Sequence, residues 1–122
     1  MRDPHKLSAF QLADQLVVAV YKHTANMPPD ERFGLTMQIR RAAVSIPSNI
    51  VEGCSRNSES EYLRFLDIAL GSACELEYQL SLALRLGFLR DNQHRPVADL
   101  ASQTCKTLNS LIRALRKAGP GA

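Results

Sequence analysis

The chain has 122 residues, a formal net charge of +3 and a sequence pI near 9.0, and 45% of its residues are hydrophobic. The length predicts a single domain over residues 1–122, with a core at about 7–117 and flexible termini, that folds without disulfides or metals. The composition excludes collagen-like, low-complexity and disordered chains. The positive charge permits an acidic partner without requiring one.

Charged residues are scattered through the first 25 positions, which excludes a secretory leader there. The longest apolar run, residues 16–21, is too short to cross a bilayer. The three cysteines are odd in number and widely spaced, which indicates neither a disulfide framework nor a zinc site. We therefore expect a cytoplasmic protein without a membrane segment, with small buried apolar cysteines at Cys54, Cys74 and Cys105.

Apolar positions at helical spacing predict a first helix over residues 8–25. Ser8 and Gln11 form a capping-box pattern at its start. Pro28 and Pro29 follow its end, because consecutive prolines remove amide donors and disfavour helical conformation before them.

A second helix is predicted from Thr36, as its cap, to about Cys54. Pro47 lies inside its apolar stripe and removes one backbone hydrogen bond, so we predict a kink, with Ser45 or Ser48 available to the stranded groups. The alternative is that Pro47 ends this helix and Ser48 starts another.

The third helix is predicted over residues 59–86, after a second capping-box pattern at Ser58 and Glu61 and before a C-terminal cap at Gly87. A fourth helix is predicted from about Asn92, with Pro96 in its first turn.

The tail from Gly119 onwards is predicted to be disordered. Four helices joined by short connections favour an all-α, antiparallel up-down-up-down four-helix bundle. The alternative is a pair of helical hairpins that completes its core only by oligomerising. Oligomerisation is expected in either case, because the third helix carries apolar residues beyond one stripe: Leu63, Ile68, Leu70 and Leu82.

No group of residues in the sequence meets the requirements of a catalytic or cofactor site. The histidines lack ligand spacing, the serines lack a nucleophile elbow, and the glycines form no phosphate-binding loop. We therefore predict a protein that is not an enzyme and has no cofactor.

Two polar features of the second helix are predicted to be structural. Antiparallel pairing with the third helix places Glu75 near Arg40 and Arg41, so we predict an interhelical ion pair between Arg41 and Glu75. A polar stripe on the second helix, beside Asn49, favours a hydrogen-bond network at a helix or subunit seam. The stripe comprises Arg41, Ser45, Ser48 and Glu52.

Residues 90–122 carry a net charge of +4, more than the net charge of the whole chain. Lys106, Arg113 and Lys117 are seven and four residues apart and share one helical face, as contacts to a phosphate backbone would require. No aromatic residue interleaves with them, which argues against base stacking. The alternative is an ordinary solvated helix surface.

The segment 34–53, GLTMQIRRAAVSIPSNIVEG, together with residues 61–66 and 71–77, resembles the bacterial four-helix bundle proteins known as 23S rRNA-intervening sequence proteins. The resemblance covers about residues 7–115. It implies a four-helix bundle that assembles into a ring, typically a homopentamer, without known catalysis. A related branch, the accessory variability determinant of diversity-generating retroelements, is a basic pentamer that binds nucleic acid and a reverse transcriptase, and by analogy this implies nucleic-acid binding here.

The resemblance and the charge pattern together predict a non-catalytic homo-oligomer, a pentamer, that binds RNA or a ribonucleoprotein through repeated basic surfaces. The alternative is a purely structural or protein-binding adaptor without a role in nucleic-acid binding. The candidate contacts are Arg40, Arg41, Lys106, Arg113, Arg116 and Lys117.

Overall fold

A computed structural model describes residues 2–119, and this part of the chain is helical without strands. Four α-helices follow one another, with a single 3-10 turn before the first and another before the second. The α-helices are α1 (Ser8–His23), α2 (Leu35–Cys54), α3 (Glu59–Arg85) and α4 (Asp91–Ala118).

Each helix packs against two others, in the cyclic order α1, α2, α3, α4. The contacts between α2 and α3 join Ser45 to Ser72 and bring Gly53 against Tyr62, so residue numbers rise along one helix as they fall along the other. Between α3 and α4, Glu77 meets Cys105 and Asp67 meets Arg116, with the same sense. The four helices form a bundle, and these contacts fit an antiparallel arrangement of its neighbours.

One continuous apolar core lies between the helices, and each helix contributes residues to it. Burying one such Leu or Ile side chain contributes roughly 1.5–3 kcal/mol, so this core supplies the main driving force for folding. The largest side chains that are fully buried include Leu16, Ile39, Ile46, Ile50, Leu66, Leu76, Leu80 and Leu108.

The predicted capping box of α1 is wrong. Leu7 is the residue that precedes the helix, and Ser8 already lies inside it. Gln11 donates its side-chain amide to the carbonyl of His5 at 2.8 Å instead of reaching back to a free amide at the cap. The helix ends at His23, two residues earlier than expected, and the next residue, Thr24, donates its hydroxyl to the Val20 carbonyl.

The start of α2 also differs from expectation, because Thr36 does not cap it. Gly34 precedes the helix, and the carboxylate of Glu31 accepts from the backbone N–H of Leu35 at 3.0 Å. An acidic side chain is favourable at a helix N-terminus, so Glu31 takes the role assigned to Thr36. Thr36 lies in the first turn, and its buried hydroxyl has no hydrogen-bond partner among the described residues.

α2 continues through Pro47 to Cys54 without interruption, which excludes a helix break at that proline. Ser45 and Asn49 lie on either side of it along the helix. The Asn49 side chain donates to the Ser45 carbonyl at 2.8 Å and to the Ser45 hydroxyl at 3.0 Å. Within residues 2–119 the Ser45 hydroxyl bonds to Ser72 and Asn49 and not to the Ala43 carbonyl that Pro47 leaves free, and the kink itself stays a prediction.

Both predicted caps of α3 use the expected residues. Ser58 accepts from the backbone N–H of Glu61 at 3.1 Å, although the Glu61 carboxylate pairs with Arg64 instead of closing the box. Gly87, with φ of 76°, follows the helix and lets the chain reverse. The Phe88 N–H then donates to the Ala83 carbonyl at 2.8 Å, which completes a Schellman motif.

The fourth helix begins at Asp91, one residue earlier than expected. The side chain of Gln93 accepts from the backbone N–H of Arg90 at 2.9 Å and anchors this start. Pro96 is therefore the sixth helical residue and lies in the second turn, not the first. Of the predicted disordered tail, residues 120–122 lie outside the described residues.

Candidate nucleic-acid interface

The outer face of α4 carries three exposed basic side chains: Lys106, Arg113 and Lys117, which we call the α4 stripe. Because α4 is one continuous helix, these residues are separated by roughly 10 Å and 6 Å along its axis. None of the three takes part in an ion pair within 4.0 Å inside the range 2–119. The stripe therefore presents unneutralised positive charge along one face of α4, as contacts to a phosphate backbone require.

Arg116, the fourth predicted contact on α4, lies beside the stripe and is directed towards α3. Its guanidinium forms an ion pair with the Asp67 carboxylate, and both side chains are about half exposed. The pair neutralises part of the Arg116 charge, so its contribution to an anion-binding surface is smaller than that of the stripe.

Arg40 is a half-buried residue between α1 and α2. Its Nε donates to the Thr24 hydroxyl at 3.1 Å, and its guanidinium lies over the Tyr21 ring, 4.5 Å from the ring centroid. Arg41 is exposed on α2. Since α2 and α4 are not in contact, one chain does not bring Arg40 or Arg41 together with the α4 stripe.

The ion pair predicted between Arg41 and Glu75 does not form within 4.0 Å. Both residues are exposed, and neither belongs to any ion pair among the described residues. The contact of Ser45 with Ser72 places the backbones of Arg41 and Glu75 at nearby levels of the two helices. Long exposed side chains gain little from pairing, and these two extend into solvent instead.

The polar stripe of α2 divides into a packed part and a solvated part. The hydroxyls of Ser45 and Ser72 are 2.8 Å apart, and Asn49 donates to Ser45, which makes a small network between α2 and α3. Ser48 is exposed, and Glu52 pairs with Arg56 at 2.9 Å. The packed part supports the interpretation of this polar feature as structural.

Arginine and aromatic side chains meet at the corner between α2 and α3, a feature absent from the sequence-based prediction. The guanidiniums of Arg56 and Arg64 lie 4.9 Å and 4.5 Å from the centroid of the Phe65 ring. The adjacent residues Arg64 and Phe65 could have indicated an arginine–aromatic contact from the sequence. The position of Arg56 beside the same ring could be known only from the fold.

The cysteines differ in exposure, which corrects the expectation that all three are buried. Cys54 is buried, Cys74 is exposed and Cys105 is half-buried. The Cys105 thiol donates to a carboxylate oxygen of Glu77 at 3.2 Å. Burial, the Glu77 carboxylate and the neighbouring Cys74 thiol raise the pKa of Cys105 to about 12, so Cys105 is not a thiolate nucleophile at neutral pH.

No helix within residues 2–119 has the length and apolarity needed to cross a membrane. In the same part of the chain, no three histidine, cysteine or acidic residues are grouped so that they could hold a metal ion. The fold is that of a small four-helix bundle with charged residues on the exposed faces of its helices.

The chain belongs to the family of 23S rRNA-intervening sequence proteins, whose model matches residues 5–110. A similar solved structure is a crystal structure, at 1.70 Å resolution, of a protein of unknown function from the S23 ribosomal protein family of Bacteroides thetaiotaomicron VPI-5482. It is 25% identical, with a TM-score of 0.79, and the match covers 86% of this chain and 95% of that one. No curated protein matches this chain significantly.

Proposed function

We propose that this protein is a cytoplasmic, non-catalytic homo-oligomer that binds RNA or a ribonucleoprotein through the α4 stripe. The observation that carries the proposal is the set of three exposed cations on one continuous helix, without carboxylate partners in the described range. Each cation that neutralises a phosphate releases a counterion, so three per subunit contribute usefully only when several subunits act together.

Exposed apolar residues support self-association. Met37, Val44 and Val51 recur at seven-residue intervals on α2 and are 36%, 39% and 45% exposed. A seven-residue repeat keeps apolar side chains along one line of a helix, which is the pattern of helix–helix contact seams. We propose that a second copy of the chain packs here, and that the closed assembly is the pentamer implied by the family resemblance.

The alternative function is a structural or protein-binding oligomer in which the basic residues only confer solubility. The absence of an aromatic side chain among the α4 stripe residues favours this alternative, because single-stranded nucleic acid is commonly bound by stacking as well as by charge. The two hypotheses differ in their salt dependence.

The test is RNA retention by the whole protein as a function of salt. Reversing Lys106, Arg113 and Lys117 to Glu should weaken retention and reduce the slope of log affinity against log salt by about two per subunit. A matched control reverses three exposed cations elsewhere, Lys22, Arg85 and Arg95, with the same change in net charge. Equal loss in both variants, or no loss in the stripe variant, would exclude a specific role for the stripe.

Oligomerisation is tested separately by native mass measured before and after nuclease treatment. Val44→Asp should dissociate the assembly because it places a charge in an apolar seam, whereas Val18→Asp, at a position that is 66% exposed on α1, should leave the mass unchanged. A monomeric wild-type protein would contradict the proposed assembly, whatever the RNA result.

A further inference from the structure

A cleft of about 280 Å³ lies where the connector from α1 enters α2, at the end of the bundle that also holds the start of α4. Two arginines line it, Arg32 and Arg40, and none of the carboxylates described by the structure does. Neither arginine takes part in an ion pair within the described range. Pro28 and Pro29 form part of the rim and restrict the backbone there.

Thr36 also lines the cleft and provides a second, independent observation. The residue is only 8% exposed, and its hydroxyl oxygen has no hydrogen-bond partner in residues 2–119. Buried hydroxyls are almost always hydrogen-bonded, because an unpaired one loses its interaction with water without compensation. The backbone N–H of Leu35 at the start of α2 donates to the Glu31 carboxylate, so the Thr36 hydroxyl does not cap the helix.

Arg40 is held in place before any ligand arrives. Its Nε donates to the Thr24 hydroxyl, and its guanidinium lies over the Tyr21 ring. A guanidinium whose orientation is fixed by packing loses little further conformational entropy when it binds an anion. Arg32 is exposed and lines the same cleft.

We propose that this cleft binds a phosphate group, with Arg32 and Arg40 as the cationic partners and the Thr36 hydroxyl as a donor. A planar guanidinium matches two oxygens of a phosphate at once, and a threonine hydroxyl suits a third. The cleft lies at the end of the bundle where α4 begins at Asp91, and Lys106, the nearest residue of the α4 stripe, is roughly 22 Å from Asp91 along the helix axis, so the cleft is a site separate from the stripe. The proposal does not depend on the function proposed for that stripe.

The phosphate has two possible sources, a free phosphate ion and the backbone of RNA. The first arm of the test titrates the full-length protein with inorganic phosphate and follows the backbone amide resonances of residues 32–40. We expect saturable shifts at concentrations of about 1–10 mM, typical of a single small anion. Absence of saturable shifts there would overturn the proposal.

Thr36→Val removes the hydroxyl and keeps the shape of the side chain. We expect about tenfold weaker phosphate binding without loss of thermal stability, because the hydroxyl has no partner in the free protein. Arg32→Gln should weaken binding by a similar factor. The matched control is Thr104→Val, a buried threonine of α4 outside the cleft, which should leave phosphate affinity unchanged. Unchanged affinity in Thr36→Val and Arg32→Gln would also overturn the proposal.

The second arm adds a short RNA to the variant with Lys106, Arg113 and Lys117 reversed to Glu. If RNA backbone phosphate occupies the cleft, the RNA shifts the same resonances in this variant. If only inorganic phosphate shifts them, the ligand is a small phosphate. Either result supports a phosphate site, and the RNA retention experiment on the α4 stripe fails or succeeds independently.

Discussion

α3 packs against α2 on one side and α4 on the other, and these two seams are built differently. The α2–α3 seam has the most extensive packing in the bundle, with a glycine against an aromatic residue and a hydroxyl network at its middle. The α3–α4 seam is bordered by half-exposed groups, the Cys105–Glu77 hydrogen bond and the Arg116–Asp67 ion pair.

The difference separates the segment that carries the resemblance in the sequence, residues 34–53, from the candidate binding residues of α4. The segment 34–53 lies mainly on α2 and supplies the close approach to α3. The candidate binding residues lie mainly on α4, where Lys106, Arg113 and Lys117 are exposed. Fold and proposed binding can therefore be perturbed separately, which the following predictions use.

The largest expected difference concerns thiol reactivity in the α3–α4 seam. Exposed Cys74 should be alkylated at neutral pH at least about a hundredfold faster than Cys105, because the raised pKa of Cys105 leaves it protonated. Glu77→Gln should lower the pKa of Cys105 and speed its modification, since the carboxylate raises that pKa. Mass-resolved alkylation kinetics measure both rates, and equal rates in the wild type would contradict this picture.

The Cys105 thiol is also expected to make the folded protein less stable as the pH rises. The pKa of Cys105 is raised from 9.0 to about 12 by folding, so its stabilising contribution is complete below about pH 9 and is lost as the pH rises towards 12. Cys105→Ser should reduce this alkaline loss of stability in thermal unfolding. An unchanged pH profile in that variant would assign the loss to other groups.

The next effect is steric and lies in the α2–α3 seam. A Cβ atom at position 53 would lie 3.0 Å from the Phe65 Cβ and 3.3 Å from the Tyr62 ring, so Gly53→Val should cost about 2 kcal/mol of stability. The control is Gly71→Ala on α3, where a Cβ meets nothing within 4 Å and the fold should gain about 0.5–1 kcal/mol. Denaturant unfolding compares the free energies of unfolding of the two variants. If both variants were destabilised, the loss in Gly53→Val could not be assigned to the contact with Phe65 and Tyr62.

A smaller effect is expected from the hydroxyl network of the same seam. Ser45→Ala and Ser72→Ala should each cost about 1 kcal/mol, and the double variant should cost less than the sum, because the two hydroxyls share one hydrogen bond. Ser48→Ala, exposed on the same helix, is the control and should change stability by less than about 0.5 kcal/mol. Strict additivity in the double-mutant cycle would show that the two hydroxyls are not coupled.

The smallest effect belongs to the ion pair between α3 and α4. Arg116→Gln should cost about 0.5 kcal/mol at low salt and almost nothing at high salt, because both partners are about half exposed. Lys117→Gln removes a neighbouring charge that forms no ion pair in the described range and should be neutral. Thermal unfolding at two salt concentrations tests this, and a salt-independent loss would mean that Arg116 contributes by packing.

Much of the fold could be predicted from local patterns, but several helix ends could not. Ser58 and Gly87 were identified correctly because their roles depend on a few adjacent residues. Ser8 and Thr36 match the same kinds of pattern but do not cap their helices. At α1 the Gln11 side chain donates to the His5 carbonyl instead of reaching back to the cap. At α2 the Glu31 carboxylate, not the Thr36 hydroxyl, accepts from a backbone N–H at the start of the helix. Competition between nearby polar groups is decided by the path of the connecting chain.

The candidate site was predicted less completely. Prediction of the α4 stripe depended only on one continuous helix, so Lys106, Arg113 and Lys117 could be grouped from their spacing in the sequence alone. Arg40 and Arg116 are also predicted as nucleic-acid contacts, but each makes a specific interaction with a neighbouring helix or its end. Such interactions depend on which helices are adjacent and at what level they meet.

The sequence by itself determined the four helices, the buried stripe of each one and the basic face of α4, because helical periodicity is a property of consecutive residues. Only the tertiary structure decided that Arg41 and Glu75 stay apart, that Cys105 meets Glu77, and that Thr36 is buried beside Arg32 and Arg40 with no hydrogen-bond partner among residues 2–119. These outcomes depend on distances between residues that are remote in sequence or on how a connector enters a helix. Only packing of the whole bundle sets those distances.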